Sequence, residues 1–270
     1  MQRLFKITSM LLIAGLLCLG AGCTNKQTDE PAAAKPKAEP VTLNISAAAS
    51  LKDSMNEVKK LYEAEKANVT LTINYGSSGT LQQQIEQGAD VDIFMSAAAK
   101  QMDALESKDL IFNDTRKIIL QSDVVLIVPK DNSTITSFND LTTDKAKKIA
   151  LGEPKSVPAG QYAEEVFTKL NILGKIKTKA VYGKDVKEVL TWVETGNADA
   201  GVVYSTDAKV STKVKIVGTA SADSHTPVVY PAAVIKASKK TDASKDFIKF
   251  LTDKKAKAVF EKYGFKVNTK

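Results

Sequence analysis

Residues 118–128 read IILQSDVVLIV, and this long apolar run is the stretch that most constrains the fold. A second apolar run, VVYPAAVI, occupies residues 228–235. Each run is a candidate crossing between two parts of the chain. A chain that leaves a first lobe near residue 121 and returns near residue 230 forms two α/β lobes of similar size, with a ligand cleft between them. Composition alone leaves a single doubly wound domain open as the alternative.

Outward from these two runs, strand-like segments alternate with helix-like ones. The strand-like segments are residues 42–47, 69–74, 91–96, 118–128, 148–151, 179–182, 200–204, 214–217 and 228–235. Between residues 51 and 65, apolar side chains recur at helical spacing. Gly88, Gly174 and Gly196 are predicted to end three later helices. The alternation predicts α/β layers around largely parallel sheets.

The N-terminus carries the pattern of a bacterial secretory signal over residues 1–22. Arg3 and Lys6 precede an apolar run at residues 10–19, and small residues lead up to Cys23. The apolar run is only about ten residues long, whereas a membrane span needs roughly 20. A Cys directly after small residues resembles a lipoprotein cleavage site, so we expect Cys23 to carry lipid and to anchor the protein on the extracytoplasmic face of the cell membrane. Ordinary secretion with an unmodified Cys is the alternative.

Residues 23–40 are predicted to be a tether between this anchor and the folded part. They contain several Pro and charged residues and no large apolar side chain, so they cannot bury enough surface to fold. Cys18 would leave with the signal and Cys23 would carry lipid, so no disulfide is expected. Stability must then come from a hydrophobic core, and the remaining chain is long enough for one or two such cores.

The net charge of +7 comes almost entirely from Lys, with Arg only at positions 3 and 116. Proteins that bind nucleic acids favour Arg and basic residues clustered in stripes. Neither feature is visible in this sequence. We therefore expect a solvated Lys-rich surface and no nucleic-acid partner.

His and Cys, which many catalytic and metal-binding sites need, are scarce in this sequence. His225 is the single His of the chain, and the polar stretch around it, SADSHTP, predicts a loop. The HExxH, CxxC, P-loop and GxGxxG patterns do not occur after the signal. Asp90 and Asp92 could share a metal ion, but a turn at the start of a strand is the simpler interpretation. We therefore predict no enzyme and no direct metal ligands; an exported hydrolase and a surface adhesin are the alternatives.

Small hydroxyl or glycine-like residues stand at four predicted helix starts, each following a strand-like run. Ser50 and Asp53 have the spacing of a capping box. The other three starts are residues 76–80 (GSSGT), 158–160 (PAG) and 185–186 (DV). The first N–H groups of a helix have no partner within it and carry partial positive charge, so they bind anions without a charged side chain. Helix starts that follow parallel strands converge at one edge of a sheet, which favours an anion site there.

Four ordered blocks of sequence resemble the periplasmic molybdate-binding proteins. They are AAASLKD at residues 47–53, NYGSSGTLQQQIEQGADVDIFMSA at 74–97, LGEPKSVPAGQYAEE at 151–165 and AGVVYSTDA at 200–208. The resemblance extends over residues 41–270. It implies an α/β, two-lobed type II solute-binding protein fold with two hinge crossings and the ligand in the interlobe cleft. Residues 41–121 plus 230–270 would form lobe 1, and residues 122–229 would form lobe 2.

The resemblance also implies which groups hold the ligand. In this family an oxyanion is bound by two hydroxyls from one lobe and by backbone amides and a tyrosine hydroxyl from the other. Carried over to this sequence, the first lobe supplies the hydroxyls of Ser50 and Ser78. The second lobe supplies the backbone N–H groups of Ala159 and Val186 and the hydroxyl of Tyr204. These groups would contact only the oxygens of the anion, so none would be a direct metal ligand.

The implied function is the extracytoplasmic component of an ABC importer, which captures molybdate or tungstate and delivers it to the permease subunits. The resemblance implies no cofactor, and a monomer that meets the membrane only through its N-terminal lipid. A protein of the same fold that binds another tetrahedral oxyanion, such as sulfate, is the alternative. Gly79 stands where some relatives carry Ser, and we expect this difference to matter little because Ser78 remains.

Overall fold

The computed structural model describes residues 39–267. The predicted signal peptide (1–22) and nearly all of the predicted tether (23–40) lie outside the described residues, so both stay predictions. The strands are, in chain order, β1 (Val41–Ala48), β2 (Val69–Gly76), β3 (Ile93–Met95), β4 (Lys117–Gln121), β5 (Val124–Pro129), β6 (Ile149–Gly152), β7 (Ala180–Gly183), β8 (Ala200–Tyr204), β9 (Val214–Thr219), β10 (Val229–Val234) and β11 (Lys266–Val267). The α-helices are α1 (Lys52–Glu65), α2 (Ser78–Glu86), α3 (Ala99–Ser107), α4 (Pro158–Lys169), α5 (Leu173–Lys177), α6 (Val186–Glu194), α7 (Ser205–Lys209), α8 (Thr241–Phe250) and α9 (Lys254–Lys262).

The strands form two sheets, and each sheet is the centre of one lobe. The sheet of lobe 1 has the strand order β2-β1-β3-β10-β4-β11, and the sheet of lobe 2 has the order β7-β6-β8-β5-β9. Helices α1, α2, α3, α8 and α9 pack with the first sheet. Helices α4, α6 and α7 pack on the second sheet, with α5 against α4.

Both sheets are mixed, so the prediction of largely parallel sheets was wrong. In lobe 1, β1 is parallel to β2 and β3, while β10 is antiparallel to β3 and β4. In lobe 2, β6 is parallel to β7 and β8, while β5 is antiparallel to β8 and β9. Strands β5 and β10 each begin directly after the chain crosses from one lobe to the other. They run away from the boundary between the lobes while their neighbours run toward it, which makes them antiparallel.

The chain passes between the lobes twice, through residues 122–123 and residues 220–228. The two crossings lie side by side, because the Ser122 N–H donates to the carbonyl of Val228 at 3.3 Å. A pair of adjacent crossings can act as a hinge for domain closure. The lobe boundaries expected from the resemblance stay a prediction.

Three glycines were predicted to end helices, and the prediction is correct for two of them and wrong for the third. Gly88 and Gly196 follow α2 and α6 with φ angles of 88° and 71°, in the left-handed region that Gly adopts at little cost. Gly174 was predicted to end α4, but it lies inside α5. Asn171 follows α4 with a φ of 57° instead, because Asn also tolerates this region.

The core of lobe 2 is centred on β5, whose residues Val124 to Val128 are all at most 1% exposed. Burying such an aliphatic side chain contributes roughly 1.5–3 kcal/mol relative to leaving it in water. The edge strand β2 instead begins with alternating buried and exposed residues. The buried sheets hold the carboxyl ends of β1, β2, β6 and β8 firmly at the boundary between the lobes. None of the helices in the described part of the chain is long and apolar enough to cross a membrane.

Candidate ligand-binding site

A small cavity lies between the lobes, at the carboxyl ends of the parallel strands, with about 10 Å³ open to the centre of a water-sized sphere. This volume is far below the roughly 300–1,000 Å³ of pockets that hold drug-sized ligands, so the cavity has no room for a larger organic molecule. All five sequence-predicted ligand residues line it. The lining residues are Ala48, Ala49, Ser50, Gly76, Ser77, Ser78, Ala97, Val157, Pro158, Ala159, Asp185, Val186 and Tyr204.

Ser50 reaches the cavity from a short 3₁₀ turn, Ala49–Leu51, that precedes α1. The predicted capping box with Asp53 was wrong, because this turn places Ser50 within the helical segment and α1 has no side-chain cap. The Ser50 hydroxyl instead accepts a hydrogen bond from the hydroxyl of Tyr230 at 3.2 Å. An oxygen that accepts from Tyr230 keeps its own proton free to donate to a ligand.

Two adjacent serines at the start of α2 have different roles. Ser77 is the N-cap, and its side chain accepts from the N–H of Thr80 at 3.2 Å. Ser78 is the first residue of the helix, and its oxygen accepts from the N–H of Ala97 at 2.9 Å. This bond orients the Ser78 hydroxyl and leaves its proton available as a donor. Ser78 is therefore fixed by its own lobe before any ligand arrives.

The second lobe presents two helix starts to the same cavity. Pro158 is the first residue of α4 and lacks an N–H, which makes Ala159 the first residue of that helix with an N–H group. Asp185 caps α6 by accepting from the N–H of Glu188 at 3.0 Å, and Val186 follows as the first helical residue. N–H groups at such positions have no partner within the helix and lie at its partially positive end. Both starts are suited to an anion.

Tyr204 ends β8 and adds a phenolic hydroxyl to the serine hydroxyls of the cavity. The side chain is buried, and within residues 39–267 its hydroxyl has no hydrogen-bond partner. Burial, together with neighbouring Tyr230 and Tyr162, raises the pKa of Tyr204 well above its usual value of 10. The group is therefore a neutral donor at physiological pH. A buried donor without a partner costs free energy unless a ligand accepts from it.

Residues 43–266 match the family of bacterial extracellular solute-binding proteins. The chain belongs to this family. Proteins of this family bind solutes and are not enzymes, in agreement with the prediction from the sequence. The fold agrees as well, since a two-lobed α/β arrangement with the cavity between the lobes was expected.

Three relatives of this solute-binding protein carry names that describe their transport role. A Bacillus subtilis protein, YvgL, described as an ABC transporter substrate-binding lipoprotein, is 47% identical, with 97% of this chain and 99% of YvgL covered. The molybdate-binding protein ModA of Haemophilus influenzae is 41% identical, with 98% and 99% covered. A solved substrate-binding domain from Clostridium difficile, described as that of a molybdenum ABC transporter, is 51% identical with a TM-score of 0.67, and 84% of this chain and 99% of that chain are covered.

No Lys or Arg of the described residues lines the cavity of this solute-binding protein. Lys187 directly follows the lining residue Val186, and its ammonium group is held by two carboxylates. It lies 2.7 Å from Asp53 and 3.1 Å from Asp207. Burial alone would lower the pKa of Lys187, but Asp207 and Asp53 outweigh burial and raise it. The positive charge is therefore retained and is already paired beside the site.

Sequence reasoning missed three residues that support this solute-binding site. Tyr230 donates to Ser50, Ala97 donates to Ser78, and Lys187 joins the lobes beside Val186. Tyr230 lies in the apolar run at residues 228–235, and Ala97 ends the family-like block at residues 74–97. No local pattern indicates that Tyr230 contacts Ser50 or that Ala97 contacts Ser78. Lys187 looked like one of many solvated lysines, and only the fold brings it to Asp53.

The three residues weighed as metal or catalytic candidates have structural contacts, and Asp90 accepts from the side-chain amide of Asn44 at 2.9 Å. Asp92 accepts the N–H of Asn44 at 2.8 Å and the hydroxyl of Ser238 at 2.6 Å, and it pairs with Lys240 at 3.0 Å. It therefore ties β1 to the turn before α8. His225 lies in the second crossing, where its Nδ1 is 2.6 Å from the carbonyl of Thr226. Residues 39–267 contain no cluster of three His, Cys, Asp or Glu residues that could hold a metal ion.

Proposed function

We propose that this solute-binding protein captures molybdate outside the cytoplasm and delivers it to the permease of an ABC importer. The proposal further assigns Ser50, Ser78, Ala159, Val186 and Tyr204 as the ligand residues, and it includes tungstate as a second ligand. The observation that carries it is the buried hydroxyl of Tyr204, which has no hydrogen-bond partner among residues 39–267 and belongs to a residue of a small cavity lined by oriented serine hydroxyls and by helix starts. The names of the relatives at 41–51% identity support the choice of anion.

The chemistry of the lining fits a tetrahedral dianion that has lost its water. Two hydroxyls from lobe 1 meet two backbone N–H groups and one phenol from lobe 2, so donors converge from opposite sides. Hydrogen bonds to charged groups contribute about 1.5–3 kcal/mol each, more than those between neutral groups. Fixed dipoles replace the hydration shell without a buried cation, which suits a ligand that must later be released.

Selection among tetrahedral anions follows from the fixed positions of these donors. Sulfate is smaller than molybdate, so it cannot contact donors on both sides at once. Each donor left unpaired costs about 1–3 kcal/mol. Tungstate nearly matches molybdate in size and charge, so the same set of donors should bind it.

Calorimetric titration of the purified protein with molybdate, tungstate and sulfate tests the proposal. We expect one ion of molybdate or tungstate per chain, and an affinity for sulfate that is weaker by roughly 100-fold or more. Equal affinities for sulfate and molybdate would remove the size argument. The absence of heat with all three ions would remove the proposed function itself.

The proposal places the protein on the extracytoplasmic face of the cell membrane as a monomer held by lipid on Cys23. The small residues before Cys23 and the name of the Bacillus subtilis relative support this location. Cys23→Ser should shift the protein from the membrane fraction to the soluble fraction, whereas Cys18→Ser should not. If both variants stay in the membrane fraction, Cys23 is not the anchor.

A further inference from the structure

We propose that Gly79 sets how far the two lobes close, which makes it a positioning residue for the anion site. Gly79 is the second residue of α2 in lobe 1, and Ser156 lies in the turn before α4 in lobe 2. The Gly79 N–H donates to the Ser156 carbonyl at 2.9 Å. The two lobes are therefore in direct main-chain contact one residue away from Ser78.

A side chain at position 79 has no space in this arrangement. A Cβ atom on Gly79 would lie 2.5 Å from the carbonyl oxygen of Ser156 and 2.7 Å from its Cα. Both distances are far inside van der Waals contact. Gly79 is not among the glycines with positive φ, so any residue could adopt its backbone conformation. The need for glycine comes from the approach of the other lobe.

The turn that contains Ser156 is held in place within lobe 2. The N–H groups of Ser156 and Val157 both donate to the Glu153 carbonyl, at 3.1 and 2.7 Å. Val157 packs so closely on Gly152 that a Cβ there would lie 2.4 Å from the Val157 Cγ1. Ala159 follows three residues after Ser156 and lines the cavity. A displaced turn would therefore displace a proposed ligand donor.

A methyl group at position 79 thus leaves two possibilities, and both weaken ligand binding. Either the lobes stop short of the contact, or the turn distorts and moves Ala159 away from the ligand. Within lobe 1 the substitution is favourable, because Ala is a better helix former than Gly. We therefore expect the substitution to weaken ligand binding, which needs the lobes close together, without lowering the stability of the unliganded protein. The inference rests on the proposed function only in the choice of molybdate as the probe.

Gly79→Ala and a matched control, Gly174→Ala, test the inference in the full chain. Gly174 is also the second residue of its helix, α5, but a Cβ there would meet nothing within 4 Å. We expect Gly79→Ala to weaken the molybdate Kd about tenfold or more and Gly174→Ala to leave it unchanged. In the absence of molybdate, neither variant should unfold at a lower temperature than the native protein. A native-like Kd for Gly79→Ala, or its failure to fold, overturns the inference.

A second measurement separates this inference from the proposed function. If the native protein does not bind molybdate, the proposed function fails, and a crystal structure of Gly79→Ala still decides the role of position 79. We expect the lobes to lie farther apart, so that the N–H at position 79 no longer reaches the Ser156 carbonyl. A variant structure that retains this hydrogen bond overturns the inference.

Discussion

The ammonium group of Lys187 in lobe 2 lies 2.7 Å from a carboxylate oxygen of Asp53 in lobe 1. The same ammonium group lies 3.1 Å from Asp207, which is 0% exposed. Only Asp53 belongs to the other lobe. The Lys187–Asp207 pair therefore lies within lobe 2, whereas the Lys187–Asp53 pair joins the two lobes beside the ligand cavity.

We expect substitutions of these partners to separate closure from folding. Asp53→Asn should weaken molybdate affinity by about 0.2–1 kcal/mol, at most roughly fivefold, because Asp53 is partly exposed. Stability without ligand should not change. Lys187→Met should lower the free energy of unfolding by about 3 kcal/mol, because it leaves Asp207 buried without its partner. Titration calorimetry and urea unfolding check both expectations, and a loss of unliganded stability in Asp53→Asn would contradict the division of roles.

The hydroxyl of Tyr204 gives a second prediction, in which binding and stability change differently. Tyr204→Phe should weaken molybdate binding by about 1.5–3 kcal/mol, roughly ten- to hundredfold, through loss of a hydrogen bond to a charged ligand. The variant should be at least as stable as the native protein without ligand, because the described residues offer this hydroxyl no partner. Thermal unfolding with and without molybdate measures both effects.

Tyr162→Phe is the matched control for this substitution. Tyr162 packs edge-on against Tyr204, with ring centroids 6.3 Å apart, but it does not line the ligand cavity. The Tyr162 hydroxyl donates to the carbonyls of Ala97 in lobe 1 and of Pro227, both at 3.4 Å, so its loss should weaken molybdate binding only slightly and by less than the loss of the Tyr204 hydroxyl. Both substitutions keep the aromatic ring, so equal losses in the two variants would mean that the Tyr204 hydroxyl has no special role in binding.

How much of the site could be predicted depended on whether the signal was local. Ser78, Ala159, Val186 and Tyr204 each stand at a strand end or helix start that a few neighbouring residues define, so local pattern and resemblance were enough to predict residues that line one cavity, and their role as ligand residues stays a prediction. Ser50 was located as well, but its supposed capping role was wrong because the 3₁₀ turn before α1 has no clear sequence signal.

Features that depend on distant parts of the chain could not be predicted. Asp53 and Lys187 are 134 positions apart, and only the folded arrangement of the two lobes brings them together. The close approach of Gly79 to Ser156 likewise exists only in the folded chain, so Gly79 looked like a neutral departure from relatives that carry Ser. The direction of β5 and β10 follows from the crossings and not from their own residues.

A third prediction contrasts the two adjacent serines at the start of α2, Ser78 as a ligand donor and Ser77 as the N-cap of the helix. Ser78→Ala should weaken molybdate binding by about 1.5–3 kcal/mol and should also destabilise the protein, because the N–H of Ala97 loses its acceptor. Ser77→Ala should cost about 1 kcal/mol of stability through loss of the N-cap, with a much smaller effect on affinity. Calorimetry on both variants measures the contrast. Should the two lose affinity equally, the Ser78 hydroxyl has no special role.

The pKa shifts beside the cavity lead to a final prediction, that binding does not depend on pH between about pH 6 and pH 9. The Tyr204 hydroxyl donates only below its pKa, and burial raises that pKa well above 10. Lys187 stays positively charged in the same range, because Asp207 and Asp53 raise its pKa above its usual 10.5. The donors and the interlobe ion pair therefore persist throughout, while molybdate remains a dianion. Titrations at about pH 6, 7.5 and 9 should give the same molybdate Kd, and a tenfold loss at the alkaline end would show that Tyr204 or Lys187 ionises in the working range.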